Sequence, residues 1–180
     1  IRAGEILGIA GVDGNGQKEL ADVVAGMRRA TGGSVTVGGV DCTRLTRARH
    51  IDLGIGYIPE DHMTTGLVTD LDAYDSLALR DYRKSGRFLM PVRRFRKKAD
   101  GVIASCDVRT ASPRNPVKMM SGGNIQKLLL ARELAAAPRL IVAVYPMRGL
   151  DIGAAEAIRN LRGDQRSRDA AVLLIAEDGE

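Results

Sequence analysis

Uninterrupted apolar runs of strand length constrain this chain more than any other feature: "EILGIAG", "RLIVAVYP" and "AAVLLIAED". A run without polar alternation reads as a strand covered on both faces, and such strands belong to parallel sheets whose crossovers carry helices. The intervening segments supply the helices. "QKELADVVAGM" repeats Leu20, Val23, Val24 and Met27 at helical spacing, and "NIQKLLLARELAAA" sets Ile125, Leu128, Leu129 and Ala135 along one side of an amphipathic helix. "SVTVGG" reads as a short strand, "TRLTRARHIDL" as a helix, "GIGYIPE" as a strand ending at Pro59, and "GAAEAIRNLR" as a helix. From about Leu71 to Pro116 the pattern turns helical and more charged, with "VRRFRKKADGVIAS" its longest piece. At 180 residues, 44% hydrophobic and 27% charged, the chain suffices for one α/β domain with a buried core.

The net charge of +5 admits nucleic acid, anionic lipid or a nucleotide as partner, and equally a solvated basic surface. Aromatic residues make up only 3% and tryptophan is absent, so nothing in the composition suggests stacked bases. Arg93, Arg94, Lys97 and Lys98 fall at helical spacing and read as a solvated face rather than a nucleic-acid surface. Cys42 and Cys106 lack metal-site or disulfide spacing and read as two ordinary thiols in a reducing cytoplasm. The sequence shows no signal peptide and no apolar run long enough for a bilayer, so a membrane role has to come through a partner.

"AGVDGNGQKEL", residues 10–20, joins the first strand to the first helix. A phosphate loop needs G-x-x-x-x-G-K-[ST] there, because glycines let backbone N–H groups face phosphate while the helix N-terminus adds partial positive charge. Gly11, Gly14 and Gly16 keep the spacing, but Gln17 stands where lysine reaches the β and γ phosphates, and Lys18 where a hydroxyl ligates Mg²⁺. A charge-assisted hydrogen bond is worth about 1.5–3 kcal/mol, so the lost lysine weakens triphosphate binding by roughly one to two orders of magnitude. A ligand-free glycine-rich turn fits the loop equally well. A dinucleotide fingerprint does not, since its third glycine falls at Glu19. Further on, "MMSGGNIQKLLLARE" puts Ser121, Gly122 and Gly123 at a helix N-terminus, where a hydroxyl and N–H groups suit an incoming phosphate. By itself this is also an ordinary serine cap followed by glycines.

The order "GVDGNGQ", "GYIPED", "SGGNIQK", "YPMRGLD" and "LLIAED" over nearly the whole chain resembles the nucleotide-binding domain of ABC transporters. More narrowly it looks like the second, C-terminal cassette of tandem ATPase subunits in bacterial importers of ribose-type sugars and nucleosides. The resemblance implies a P-loop NTPase-like parallel sheet core at 1–70 and 117–180, with an inserted helical subdomain at 71–116 that contacts the membrane subunit. It also implies a fragment lacking the N-terminal antiparallel strands.

Carried over by position, the resemblance implies a nucleotide loop at Gly11, Asp13, Gly14, Asn15, Gly16, Gln17, Lys18 and Glu19, and a signature at Ser121, Gly122, Gly123 and Asn124. Coupling and interface roles fall on Glu60, Gly149, Leu150 and Asp151. The positions of the Mg²⁺-ordering aspartate, the water-polarising glutamate and the switch histidine hold Val144, Tyr145 and Glu177. Without a base there, general-base help worth about a hundred- to ten-thousand-fold is gone. The family's head-to-tail dimer then implies a chain that donates its signature to ATP and Mg²⁺ held by a partner cassette, the N-terminal half of the same polypeptide, with little hydrolysis of its own. It implies permease subunits and, indirectly, a solute-binding protein as partners, no nucleic acid, and a place on the cytoplasmic face of the membrane. The alternatives are a self-sufficient ABC ATPase domain and a non-transport ABC protein acting on nucleic acid.

Overall fold

The computed structural model describes residues 1–12, 14–80, 82, 92–146 and 170–176. The described residues group into two compact units, one from Ile1–Glu60 with Ala137–Glu180 and the other from Asp61–Ala136.

The first unit is built on a four-stranded sheet of β1 (Ile6–Ala10), β4 (Ile55–Ile58), β5 (Leu140–Val144) and β6 (Ala171–Ala176). Its order is β1-β6-β5-β4 and every pairing is parallel, as apolar runs interleaved with helices require. In register, Leu7 lies beside Leu173, Leu173 beside Val142, and Val142 beside Tyr57. Strands β4 and β5 are buried throughout, whereas β1 is not: Ile6 and Leu7 are exposed. The expectation of a fully covered first strand is therefore corrected. Among the described residues β1 pairs on one side only, with β6, and only Ile9 leans on the core.

Helix α1 (Gln17–Val24) also turns differently from its hydropathy pattern. Gln17, Ala21 and Ala25 face inward while Leu20 and Met27 are exposed. Small alanines let the helix backbone sit close against β5, and the core gathers Ala21, Ala25, Cys42, Ile55, Tyr57, Val142, Val144, Tyr145, Leu173 and Ile175. "SVTVGG" forms β2 (Thr36–Val37), which pairs antiparallel with an unforeseen β3 (Val40–Asp41) across a Gly38-Gly39 turn. Helix α2 (Arg47–Asp52) leads into β4. The helix expected from "GAAEAIRNLR" lies outside the described residues.

The second unit contains a π-helical turn at His62–Gly66, then α3 (Ala73–Ala78), α4 (Val92–Ser105), a 3₁₀ turn (Val117–Met119) and α5 (Gly122–Ala135). Helix α4 matches the segment read from the sequence. Helix α5 is buried beyond one stripe, since Gln126, Leu130, Ala131 and Glu133 are covered together with Ile125, Leu128 and Leu129. It groups with α3 and α4, whereas the sequence reading drew the helical segment at 71–116.

The charges inside this unit are paired. Arg80 meets Glu133 at 2.6 Å, and Glu133 also accepts from Arg132 Nε at 3.0 Å. Arg132 in turn donates to the Gly66 carbonyl at 2.7 Å, which ties α5 to the π-helical turn.

Candidate functional site

The loop from Gly11 to Gly16 leaves β1 and enters α1 through Gly14 and Gly16, whose φ angles of 89° and 94° lie where side-chain-bearing residues are strained. Gly16 is the N-cap of α1 and no side chain caps it, so the first-turn N–H groups face the loop.

Asn15 Nδ2 and Gln17 Nε2 both donate to the Val12 carbonyl, at 3.1 and 3.0 Å. A Cβ at Gly11 would lie 2.7 Å from Gln17 Nε2, so the amide occupies the inside of the loop where a lysine would extend outward. Gln17 is 8% exposed, and its Oε1 is buried without a hydrogen-bond partner. Lys18 points elsewhere: its Nζ stands 3.9 Å from Glu60 Oε2, just past the end of β4. Glu19 pairs with Arg28 at 3.4 Å. Asp13 lies outside the described residues.

Three contacts tie α1, α2 and β4 together, and sequence reasoning missed them. Tyr57 Oη donates to Asp22 Oδ1 at 2.6 Å. Arg47 Nη1 donates to the Ala25 carbonyl at 2.6 Å, and its guanidinium lies 6.0 Å from the Tyr57 ring centre. Burial first, then the Asp22 contact, pushes the Tyr57 phenol well above its ordinary range, so it stays protonated and donates to Asp22. The available sequence signal was Asp22 itself, a carboxylate beside the alanines of an inward-facing helix stripe.

At the end of β5, Val144 is fully buried and Tyr145 is 1% exposed, both within the apolar core. Tyr145 has φ 45°, and its N–H donates to the Ile175 carbonyl at 2.9 Å. Its phenol is directed into protein rather than solvent. Gly149, Leu150, Asp151 and Glu177 lie outside the described residues. Among those described, no cluster of His, Cys, Asp and Glu side chains could hold a metal ion. With lysine at position 18 and valine at 144, the described side chains do not make a Mg²⁺ site.

In the second unit, Ser121 is the extended N-cap of α5, and no side chain caps that helix. Ser121 and Gly122 are exposed, and a Cβ at Gly122 would meet open space. Asn124 fixes the serine: its Nδ2 donates to Ser121 Oγ at 2.8 Å while its Oδ1 accepts from the Arg109 N–H at 2.7 Å. The arrangement presents a hydroxyl and uncapped helical N–H groups outward, which is the chemistry of an anion acceptor.

Residues 1–143 match the ABC transporter family, and the chain belongs to it. The sheet and helices form the ABC ATPase fold. With a dimeric ATP-binding cassette in a post-hydrolysis state bound to ADP and Pi, the TM-score is 0.80 at 22% identity, covering 98% of this chain and 76% of that one. A nucleotide-free cassette from an ABC transporter gives 0.78 at 19% identity, over 99% and 72% of the two chains.

Among curated relatives, a glucose import ATP-binding protein of Haloferax volcanii is 41% identical over 99% of this chain and 33% of its own length. A guanosine import ATP-binding protein of Bacillus subtilis is 40% identical over 98% and 35%. A ribose import ATP-binding protein of Escherichia coli is 34% identical over 99% and 35%. The chain thus spans about a third of the length of these relatives. Among the described residues no helix is long and apolar enough to cross a membrane.

Proposed function

We propose that this chain is a degenerate ATP-binding cassette of a sugar or nucleoside importer, and that it acts by giving its signature to a nucleotide held on another cassette. The observation that carries this reading is the open N-terminus of α5, where Ser121 is held by Asn124 and the first-turn N–H groups have no side-chain cap. Placed against a γ-phosphate, these donors stabilise charge that grows during hydrolysis. The chain's own loop supports the same asymmetry. Gln17 turns inward instead of reaching for phosphate, and Val144 and Tyr145 are core residues that can neither order a metal nor take a proton from water.

The partner cassette, the N-terminal half of the same polypeptide, supplies the working loop, Mg²⁺ and catalytic base. Gly149, Leu150 and Asp151 lie at the interface, Glu60 couples nucleotide state to the permease, and 71–116 bears on that permease at the cytoplasmic face of the membrane. A solute-binding protein selects the sugar or nucleoside.

The test is ATP turnover by the assembled importer. Ser121→Ala is expected to lower kcat about a hundred-fold or more, as loss of a transition-state donor does, while Gln17→Ala changes it little. Turnover that survives Ser121→Ala and falls with Gln17→Ala would instead identify a self-sufficient ATPase.

A further inference from the structure

We propose that the chain's own loop takes the triphosphate of a nucleotide without a divalent metal, with the Lys18 ammonium as the counter-cation. This deepens the reading of the loop as a degenerate nucleotide site and rests on it. A phosphate loop ordinarily places a hydroxyl at this position to ligate Mg²⁺. Here the side chain carries a positive charge, and a metal ion beside it meets repulsion rather than a ligand.

Lys18 is loosely held. It is more than half exposed, and its contact with Glu60 is long at 3.9 Å. A triphosphate carries far more negative charge than one carboxylate, and a lysine four carbons long can swing to it from the first turn of α1.

The second observation is inside the loop. Gln17 is nine-tenths buried with its amide lying across Gly11 and Val12, yet its Oε1 has no donor. The Val12 carbonyl that its Nε2 holds is also held by Asn15. Gln17 can therefore release that carbonyl without orphaning it, turn an N–H toward phosphate and bring Oε1 out of a site that offers it nothing. The loop thus holds a neutral donor and a mobile cation, the two groups a metal-free polyphosphate needs, beside the uncapped N-terminus of α1.

The experiment is ATP titration of the full-length protein by calorimetry, in EDTA and in Mg²⁺, comparing the parent with Lys18→Ala, Lys18→Ser and Glu60→Gln. The expected result is a binding component in EDTA that Lys18→Ala weakens about ten- to hundred-fold and Glu60→Gln strengthens by removing the competing anion. Lys18→Ser should convert that component to one that needs Mg²⁺. An EDTA component indifferent to Lys18→Ala, a Lys18-dependent component that appears only in Mg²⁺, or no EDTA component at all would each overturn the proposal, whereas a Mg²⁺-requiring component indifferent to Lys18 belongs to the partner cassette. Signature donation is read separately, by the loss of turnover on Ser121→Ala, so failure of one leaves the other measurable.

Discussion

On the proposed degenerate reading Tyr145 holds the place of a lost base, and its surroundings decide whether a base can be put back. Its side chain is buried among Val144, Ala21 and Ile175, and its backbone sits in the left-handed region at φ 45°, a conformation worth roughly 1–2 kcal/mol of strain for an L-residue. Tyr145→Glu would exchange a packed ring for a carboxylate in an apolar setting. We expect it to destabilise the protein by about 3–5 kcal/mol, read as a lower urea midpoint, with no gain in ATP turnover by the chain's own site. Tyr57 offers a milder case. Its hydroxyl donates to Asp22 across 35 positions of sequence, and hydrogen bonds to charged groups contribute about 1.5–3 kcal/mol. Tyr57→Phe should therefore lower stability by about that amount, and an unchanged unfolding midpoint would refute this account of how α1 is held on β4.

At the level of elements, the Arg80–Glu133–Arg132 cluster links α5 to its neighbours in the helical unit. Glu133 is 1% exposed and the Arg80 side chain 8%. Removing one member of such a pair leaves a buried charge alone, at a cost of about 3–5 kcal/mol, whereas replacing both by apolar groups is often neutral. Chemical denaturation should accordingly show Glu133→Ala, which strands both Arg80 and Arg132, strongly destabilised, and Arg80→Met with Glu133→Leu and Arg132→Met closer to the parent than Glu133→Ala.

The π-helical turn carries a pH dependence. His62 Nε2 is buried without a partner, and burial lowers the ring's affinity for a proton below its ordinary value near 6.5, partly opposed by the charge of Asp61. Between those values the unfolded chain binds the proton more readily than the folded one. The stability present above pH 6.5 is therefore lost as pH falls. His62→Gln should remove that component, so the melting temperatures of parent and variant diverge progressively below pH 6.5; parallel curves would count against it.

The same elements show what the sequence could reveal. Apolar runs identified β4, β5 and β6 because burial leaves no polar alternation to read. Such a run says nothing about whether its strand is central, so β1 came out exposed. Alanine carries little hydropathy signal, which concealed the inward face of α1 behind Leu20 and Met27. Glycine spacing revealed the loop, but the inward turn of Gln17 depends on the Val12 carbonyl, and Tyr57–Asp22 on how chain distant in sequence is brought together.

For the whole molecule, the proposed degeneracy raises the question of which groups can be restored. The two substitutions in the loop lie on flexible side chains at the start of α1, one half-exposed. The two at the end of β5 are locked in the core, Val144 registered beside Ile175 and Tyr145, just past the strand, donating its N–H to the Ile175 carbonyl. Repair should therefore separate binding from chemistry. Gln17→Lys with Lys18→Ser rebuilds G-x-x-x-x-G-K-S on glycines that already hold the loop in shape, and it returns a charged donor worth about 1.5–3 kcal/mol toward phosphate. We expect the double variant to gain Mg²⁺-dependent ATP affinity of roughly ten- to hundred-fold, measured by calorimetry, while single-turnover hydrolysis at that site stays absent. Restored binding without turnover would place the lost catalysis in the core beneath β5. Turnover in the double variant would mean that a base reaches the nucleotide from some other part of the protein, and the division between a repairable loop and an unrepairable strand would fall.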